Sequence, residues 1–377
     1  MGKRVTRDDY VRAVRAYFDE RGGWPDVAEY REWARLRGKY PRLGGGHLVR
    51  FGPWREVVAD AGGAGDVPAA TAKGDPGFSV AEVPESMGRP LPRLIADLKD
   101  TFRRRKEYWD ARECVDVTVR MDGPIGVANF GDPHLGNPGT DVAAIEHDTA
   151  LVAETEGMFA ATVGDITDNW IGRLQAIYKE TESTEHDSIR MAKWFFDRCD
   201  GRWLYIVGGN HDAWHGGLSP WQWLLADVPA VKELHGVRFR LNFPNGRKVV
   251  MNARHHFKGY SQWNEAHGMV KYAKMGMRES DHVLTCGHLH HNAYHVIGNE
   301  RLGLTHCIRV AAYKRYDDYA RSHVGVEAWE SYAWSPCVGV VVDPYSPTEA
   351  GLVTVVQDIG EACDFLTWKR RRRSRVA

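Results

Sequence analysis

The chain has 377 residues, with 50 Lys+Arg balanced by 50 Asp+Glu, so no global basic field marks it for nucleic acid and any such partner must meet a local patch. No apolar run approaches the roughly 20 residues that span a bilayer, and Met1 to Thr6 lead into a polar helical pattern, not a signal-peptide core. Six scattered cysteines with no C-x-x-C pair fit reduced core thiols, so a cytoplasmic protein with no membrane partner is expected.

In chain order, residues 1–62 read as a small all-α domain. Thr6-Arg7-Asp8-Asp9 is a helix start, with Tyr10, Val11, Val14 and Phe18 on one face. Gly22-Gly23-Trp24-Pro25 breaks that helix, Val27 to Leu36 form a second, and Phe51 to Val58 open a third. Residues 63–90, rich in Gly, Ala and Pro without periodicity, read as a flexible linker. Residues 91–365 alternate strand and helix patterns, beginning with Leu94, Leu98 and Phe102 at helical spacing, and 366–377 read as a solvated basic tail.

Five short polar motifs punctuate this third zone, most of them just after an apolar run that reads as a buried strand. Gly126 to Phe130 lead to Asp132-Pro133-His134, and Met158 to Val163 lead to Gly164-Asp165. Trp203 to Val207 lead to Gly209-Asn210-His211-Asp212, Lys248 to Asn252 to the pair His255-His256, and His282 to Cys286 to Gly287-His288-Leu289-His290. Asp132 and His134, two apart, point to one side of an extended segment, and so do His288 and His290. Every motif offers oxygen or imidazole ligands at the place where a sheet delivers them, the loop beyond a strand end. The pattern predicts a layered α/β domain with a metal site at one rim.

Order and spacing over about residues 120–345 resemble the calcineurin-like metallophosphoesterases, whose pattern is D-x-H, G-D-x-x-D/N, G-N-H-D/E, H and G-H-x-H. The resemblance implies a calcineurin-like four-layer α/β/β/α sandwich and two divalent metal ions. Asp132, His134, Asp165 and His290 would hold one ion. Asp165 would bridge to the second, held with Asn210, His288 and His255, with His256 the alternative ligand. His211 would donate a proton to the leaving oxygen and Asp168 would orient it, while a metal-bridging hydroxide attacks the phosphoester. Asp212 reads as a supporting or turn residue. A mixed O/N ligand set without Cys suits Mn²⁺, Fe or Zn²⁺ over Mg²⁺ or Ca²⁺, and the family's habit favours Mn²⁺.

The N-terminal residues resemble the homing-endonuclease-associated repeat, a helical DNA-binding module, through Gly22-Gly23-Trp24-Pro25 and Phe51-Gly52-Pro53-Trp54. Trp24, Trp33 and Trp54 read as core, whereas Arg31, Arg35, Arg37, Lys39, Arg42 and Arg50 form a candidate phosphate-contacting cluster. The expected activity is therefore a dimetal phosphodiesterase acting on nucleic acid, a DNA nuclease, similar in general look to phage-encoded members and then sited in a host cytoplasm. The alternatives are a phosphomonoesterase or small-nucleotide phosphodiesterase, and a DNA-binding protein with a structural metal centre. Trp263, Tyr313 and Lys314 are further candidates to face substrate, with packing the competing role for the Trp.

Overall fold

The strands form where β-branched and small apolar residues run together between glycines and turns. The computed structural model describes residues 5–42, 53–63, 89–171, 183–214, 221, 224–261, 263–275, 281–299, 303–316 and 335–374. The chain divides into two compact units, Met1–Arg89 and Pro90–Ala377.

In the first unit, α1 (Arg7–Arg21) starts on a Thr6/Asp9 capping box, α2 (Val27–Arg37) starts on an Asp26/Glu29 box, and α3 (Trp54–Asp60) follows. Tyr10, Val14, Tyr30, Trp33, Trp54 and Val57 make its core, with Trp24 packed against them. The Trp54 indole N–H donates to the Pro25 carbonyl at 3.0 Å, so the two sequence motifs meet as a packing device. Arg50, Phe51 and Gly52 lie outside the described residues.

The second unit opens with α4 (Leu91–Ala111), which buries none of its residues and leaves Leu98 and Phe102 exposed. Two six-stranded sheets follow. One runs β12-β11-β2-β3-β4-β5, from β2 (Ile125–Phe130), β3 (Met158–Thr162), β4 (Trp203–Val207), β5 (Val231–Glu233), β11 (Cys337–Val342) and β12 (Val353–Val356). The other runs β1-β6-β7-β8-β10-β9, from β1 (Val115–Thr118), β6 (Gly236–Asn242), β7 (Lys248–Arg254), β8 (Val283–Cys286), β9 (Ala293–Asn299) and β10 (Gly303–Arg309).

Val127, Ala161, Tyr205 and Val340 of the first sheet interleave with Phe239, Met251, Val283 and Ile308 of the second, forming the central core. The outer face of the first sheet packs on α5 (Val142–Glu154), α6 (Glu185–Arg198) and α10 (Ile359–Ser374) through Ile145, Phe195 and Leu366. The outer face of the second packs on α8 (His267–Met275) through Met269, Cys286 and Cys307. Each sheet is thus buried on both faces, which explains strands such as β2 and β11 that are apolar or small along their whole length. Among the described residues, the remaining short helices are α7 (Asn210–Ala213) and α9 (Glu349–Leu352). Among the described residues, no helix is long and apolar enough to cross a membrane.

The basic end departs from the expected solvated tail, because Lys369 to Ser374 continue α10. Ile359, Ala362, Cys363 and Leu366 need cover on the sheet, and the helix that buries them carries the basic residues onto nearby acceptors. Lys369 reaches Asp343 at 2.8 Å, Arg370 donates to the Pro124 carbonyl at 2.9 Å and pairs with Glu156, and Arg373 meets Asp122 at 3.3 Å.

Strands β2, β3 and β4 are mutually parallel, as are β7, β8 and β10. All five polar motifs therefore leave strands at carboxyl ends, where an open α/β sheet places its ligands.

Candidate metal centre

Four non-glycine residues among those described have left-handed backbone: His134 (φ 45°), Asp165 (φ 50°), His288 (φ 73°) and His290 (φ 57°). Such a conformation costs on the order of 1–3 kcal/mol for a residue with a side chain and persists only where its surroundings enforce it. All four belong to the motifs, and their side chains converge.

Among the described residues the donor atoms gather into three groups, Asp132/His134/His290 and Asp165/His255/His288, which hold the expected ligands, and His134/Asp168/His211, each with ligand atoms within 4.8 Å of one another. In the first, His134 Nε2 and His290 Nε2 lie 3.0 Å apart and His290 Nε2 lies 3.5 Å from Asp132 Oδ2. In the second, His255 Nε2 lies 3.0 Å from His288 Nδ1, 3.0 Å from Asn210 Oδ1 and 3.1 Å from Asp165 Oδ2. Asp165 stands between the groups, its Oδ2 also 3.8 Å from His134 Nε2. Ligands about 2.1 Å from one ion are separated by about 3.0–3.4 Å, so these spacings suit shared cations.

Hydrogen bonding fixes the orientation of two imidazoles. His134 Nδ1 donates to Asp168 Oδ1 at 2.9 Å and His255 Nδ1 donates to the Val163 carbonyl at 3.0 Å. Both rings thereby turn Nε2 inward toward the other donors, the arrangement seen in metal-ligating histidines. Asp168 also accepts from Asn137 at 2.8 Å and Trp170 at 3.1 Å, and pairs with the buried ammonium of Lys314 at 3.3 Å. Burial opposes ionisation of Asp168, but His134 and Lys314 outweigh it and hold the carboxyl well below its ordinary range.

Asp168 bonds His134, and His211 Nδ1 has no hydrogen-bond partner among the described residues, although ligand atoms of His134, Asp168 and His211 lie within 4.8 Å of one another. The His211 ring is buried, edge-on to Trp170 at 4.5 Å and to His134 at 4.9 Å. Burial, foremost, pushes its imidazole down to about 4. Asp212 accepts from the backbone N–H groups of Ile166 and Thr167 at 3.1 Å and of Gly209 at 2.9 Å. It ties the loop of Asp165 to the loop of Asn210. His256 joins none of these groups; its ring centroid lies 4.9 Å from that of His288 and 5.8 Å from that of Tyr260.

A metal fits this donor set on the chemistry of its atoms. Asp132 is fully buried, its Oδ1 has no hydrogen-bond partner, and burial pushes its carboxyl up to about 7. An acceptor left bare in the interior is costly unless a cation meets it. The approach is also close: a Cβ on Gly209 would collide with the Asp165 carboxylate, and one on Gly287 with that of Asp132. Gly287→Ala is accordingly expected to lower Mn²⁺ affinity at least about tenfold, the low end for disturbing a ligand's support. Mn²⁺ titration of wild type and variant, with circular dichroism to monitor the fold, checks it.

Of the remaining candidates, Tyr313 is core and donates to Asp148 at 2.6 Å, whereas Trp263 is 94% exposed, contrary to a packing role. In the helical unit, Arg31, Arg35, Arg37, Lys39 and Arg42 are exposed, but Arg35 pairs with Glu32 at 2.6 Å and Arg37 with Glu20.

No protein-family model matches the chain, and no curated protein matches it. Among solved structures it is similar to the calcineurin-like phosphoesterase YfkN from Bacillus subtilis, at 10% identity and a TM-score of 0.29, over 67% of this chain and 97% of that one.

Proposed function

We propose that the chain is a two-metal phosphodiesterase whose substrate is DNA. The observation that supports it is the convergence of all four left-handed residues on two adjoining donor groups. Asp132, His134 and His290 would hold one divalent cation, and Asn210, His255 and His288 the other, with Asp165 shared. Such ions would polarise a phosphoryl oxygen and lower the pKa of a water.

The chain's own residues do the rest. Asp168 and the Val163 carbonyl orient His134 and His255, and Asp212 locks the two loops that carry Asp165 and Asn210. His211 faces the leaving oxygen. An anionic phosphoester beside that imidazole favours its protonated form, so the ring takes a proton as substrate binds and delivers it to the departing oxygen.

DNA is the substrate class supported by the exposed Arg31, Lys39 and Arg42 of the helical unit. With Mn²⁺, bis-p-nitrophenyl phosphate and single-stranded DNA are expected to be cleaved and p-nitrophenyl phosphate to lag behind. A preference for the monoester would overturn the diesterase reading, and diester cleavage without DNA cleavage would remove the nuclease. Combined Arg31→Glu and Arg42→Glu should weaken DNA binding and reduce its salt slope by roughly two, leaving bis-p-nitrophenyl phosphate turnover unchanged. DNA affinity measured against salt concentration checks this, and an unaltered slope would take the helical unit out of substrate binding.

A further inference from the structure

Arg309, the last residue of β10, is a buried cation with no carboxylate partner among the described residues. It is 2% exposed, and among the described residues its side chain meets the His291 imidazole and the Cys286 thiol but no carboxylate. Its Nε has no hydrogen-bond partner among the described residues. A guanidinium buried this way is costly to stability, which points to a role other than stabilising the fold.

The reason lies in what it touches. Arg309 Nη1 lies 2.9 Å from His291 Nε2, and His291 Nδ1 lies 2.8 Å from the Leu289 carbonyl. A guanidinium can only donate and keeps its protons throughout the working pH range. His291 Nε2 must therefore accept, which places the imidazole proton on Nδ1, and that N–H donates to Leu289 O. Leu289 stands between His288 and His290, both in left-handed backbone. On the other side of the same loop, the His288 N–H donates to Asp132 Oδ2 at 2.7 Å. The loop is pinned from both faces, and Arg309 is well placed to brace it because its Cα is in register with Cys286, the residue before Gly287.

We propose that Arg309 and His291 are positioning residues that hold the Gly287–His290 loop in its strained form, so that His288 and His290 meet their ions without rearrangement. The proposal rests on the metal centre described above but not on any hydrolytic activity. Neither residue touches an ion or a substrate; Arg309 acts through the tautomer of His291, and His291 through the carbonyl of Leu289.

The test uses the full chain, free of metal and then titrated with Mn²⁺. Nitrogen-15 correlation spectra of the imidazoles should find wild-type His291 protonated on Nδ1 and bare at Nε2, and Arg309→Met should turn this into a mixture of tautomers. Arg309→Met and His291→Phe should each lower Mn²⁺ affinity by about 10–100-fold. His291→Asn, whose amide N–H still reaches Leu289 O, should recover part of the loss. A wild-type His291 protonated on Nε2 would overturn the proposal whether or not the variants fold. So would a folded His291→Phe with wild-type Mn²⁺ affinity. A wild type that binds no Mn²⁺ removes the metal centre and the brace together. Brace-dependent Mn²⁺ binding without phosphodiester cleavage would leave the brace standing and remove only the proposed function.

Discussion

Replacing His211 with Ala is expected to lower kcat for bis-p-nitrophenyl phosphate by about 10²–10⁴-fold, the range for loss of a positioned general acid, while the Mn²⁺ content stays that of the wild type. His211 shares a donor group with His134 and Asp168 but with neither Asp132 nor Asp165. Its backbone N–H donates to Asp165 Oδ1 at 2.9 Å, a contact that Ala preserves, so the loop survives the substitution. The ring nitrogen Nδ1, by contrast, is engaged by nothing among the described residues, and its loss leaves no partner stranded. KM should change little. Metal analysis beside steady-state kinetics separates the roles: loss of an ion with the activity would make His211 a ligand.

Asp165→Asn is expected to have a larger effect, removing bound Mn²⁺ and lowering turnover by more than about 10³-fold, beyond the cost of one preorganised donor. Burial disfavours the Asp165 carboxylate, yet the neighbouring His255 outweighs this and holds its pKa well below the ordinary range. Asn keeps the volume and tolerates the left-handed backbone at φ 50°, so the substitution isolates the negative charge. What it takes away is an oxygen pair able to face both groups. Retained circular dichroism with lost Mn²⁺ binding is the expected pair of results. Full Mn²⁺ affinity in Asp165→Asn would show that Asp165 is not shared between the ions.

Much of the site was legible because each ligand sits one to four residues beyond a strand end, and buried strands have a plain signature. The Gly164-Asp165 turn says little by itself. It gains meaning only from β3 before it and from the four other motifs. The partner of Asp168 was not legible, since two imidazoles, His134 and His211, lie near one carboxylate and only three-dimensional geometry shows which one it bonds. The C-terminal helix was hidden by its run of basic residues, although Ala362, Cys363 and Leu366 carry a helical period just before it. Lys314 and Arg309 show the same difficulty in a stronger form. Each is a cation in an apolar strand or strand exit, and its burial depends on groups 146 residues away for Lys314 and 18 away for Arg309. Composition also could not show that Trp263 would stay in water while Tyr313 went to the core.

The most direct measurement is the number of Mn²⁺ ions bound per chain, by equilibrium titration of the metal-free protein, paired with diester hydrolysis at each point. Two donor groups with Asp165 between them predict two ions per chain, with hydrolysis of bis-p-nitrophenyl phosphate rising only as the second site fills. Binding of no ion or a single ion at saturation, or hydrolysis that persists in the metal-free chain, would contradict it.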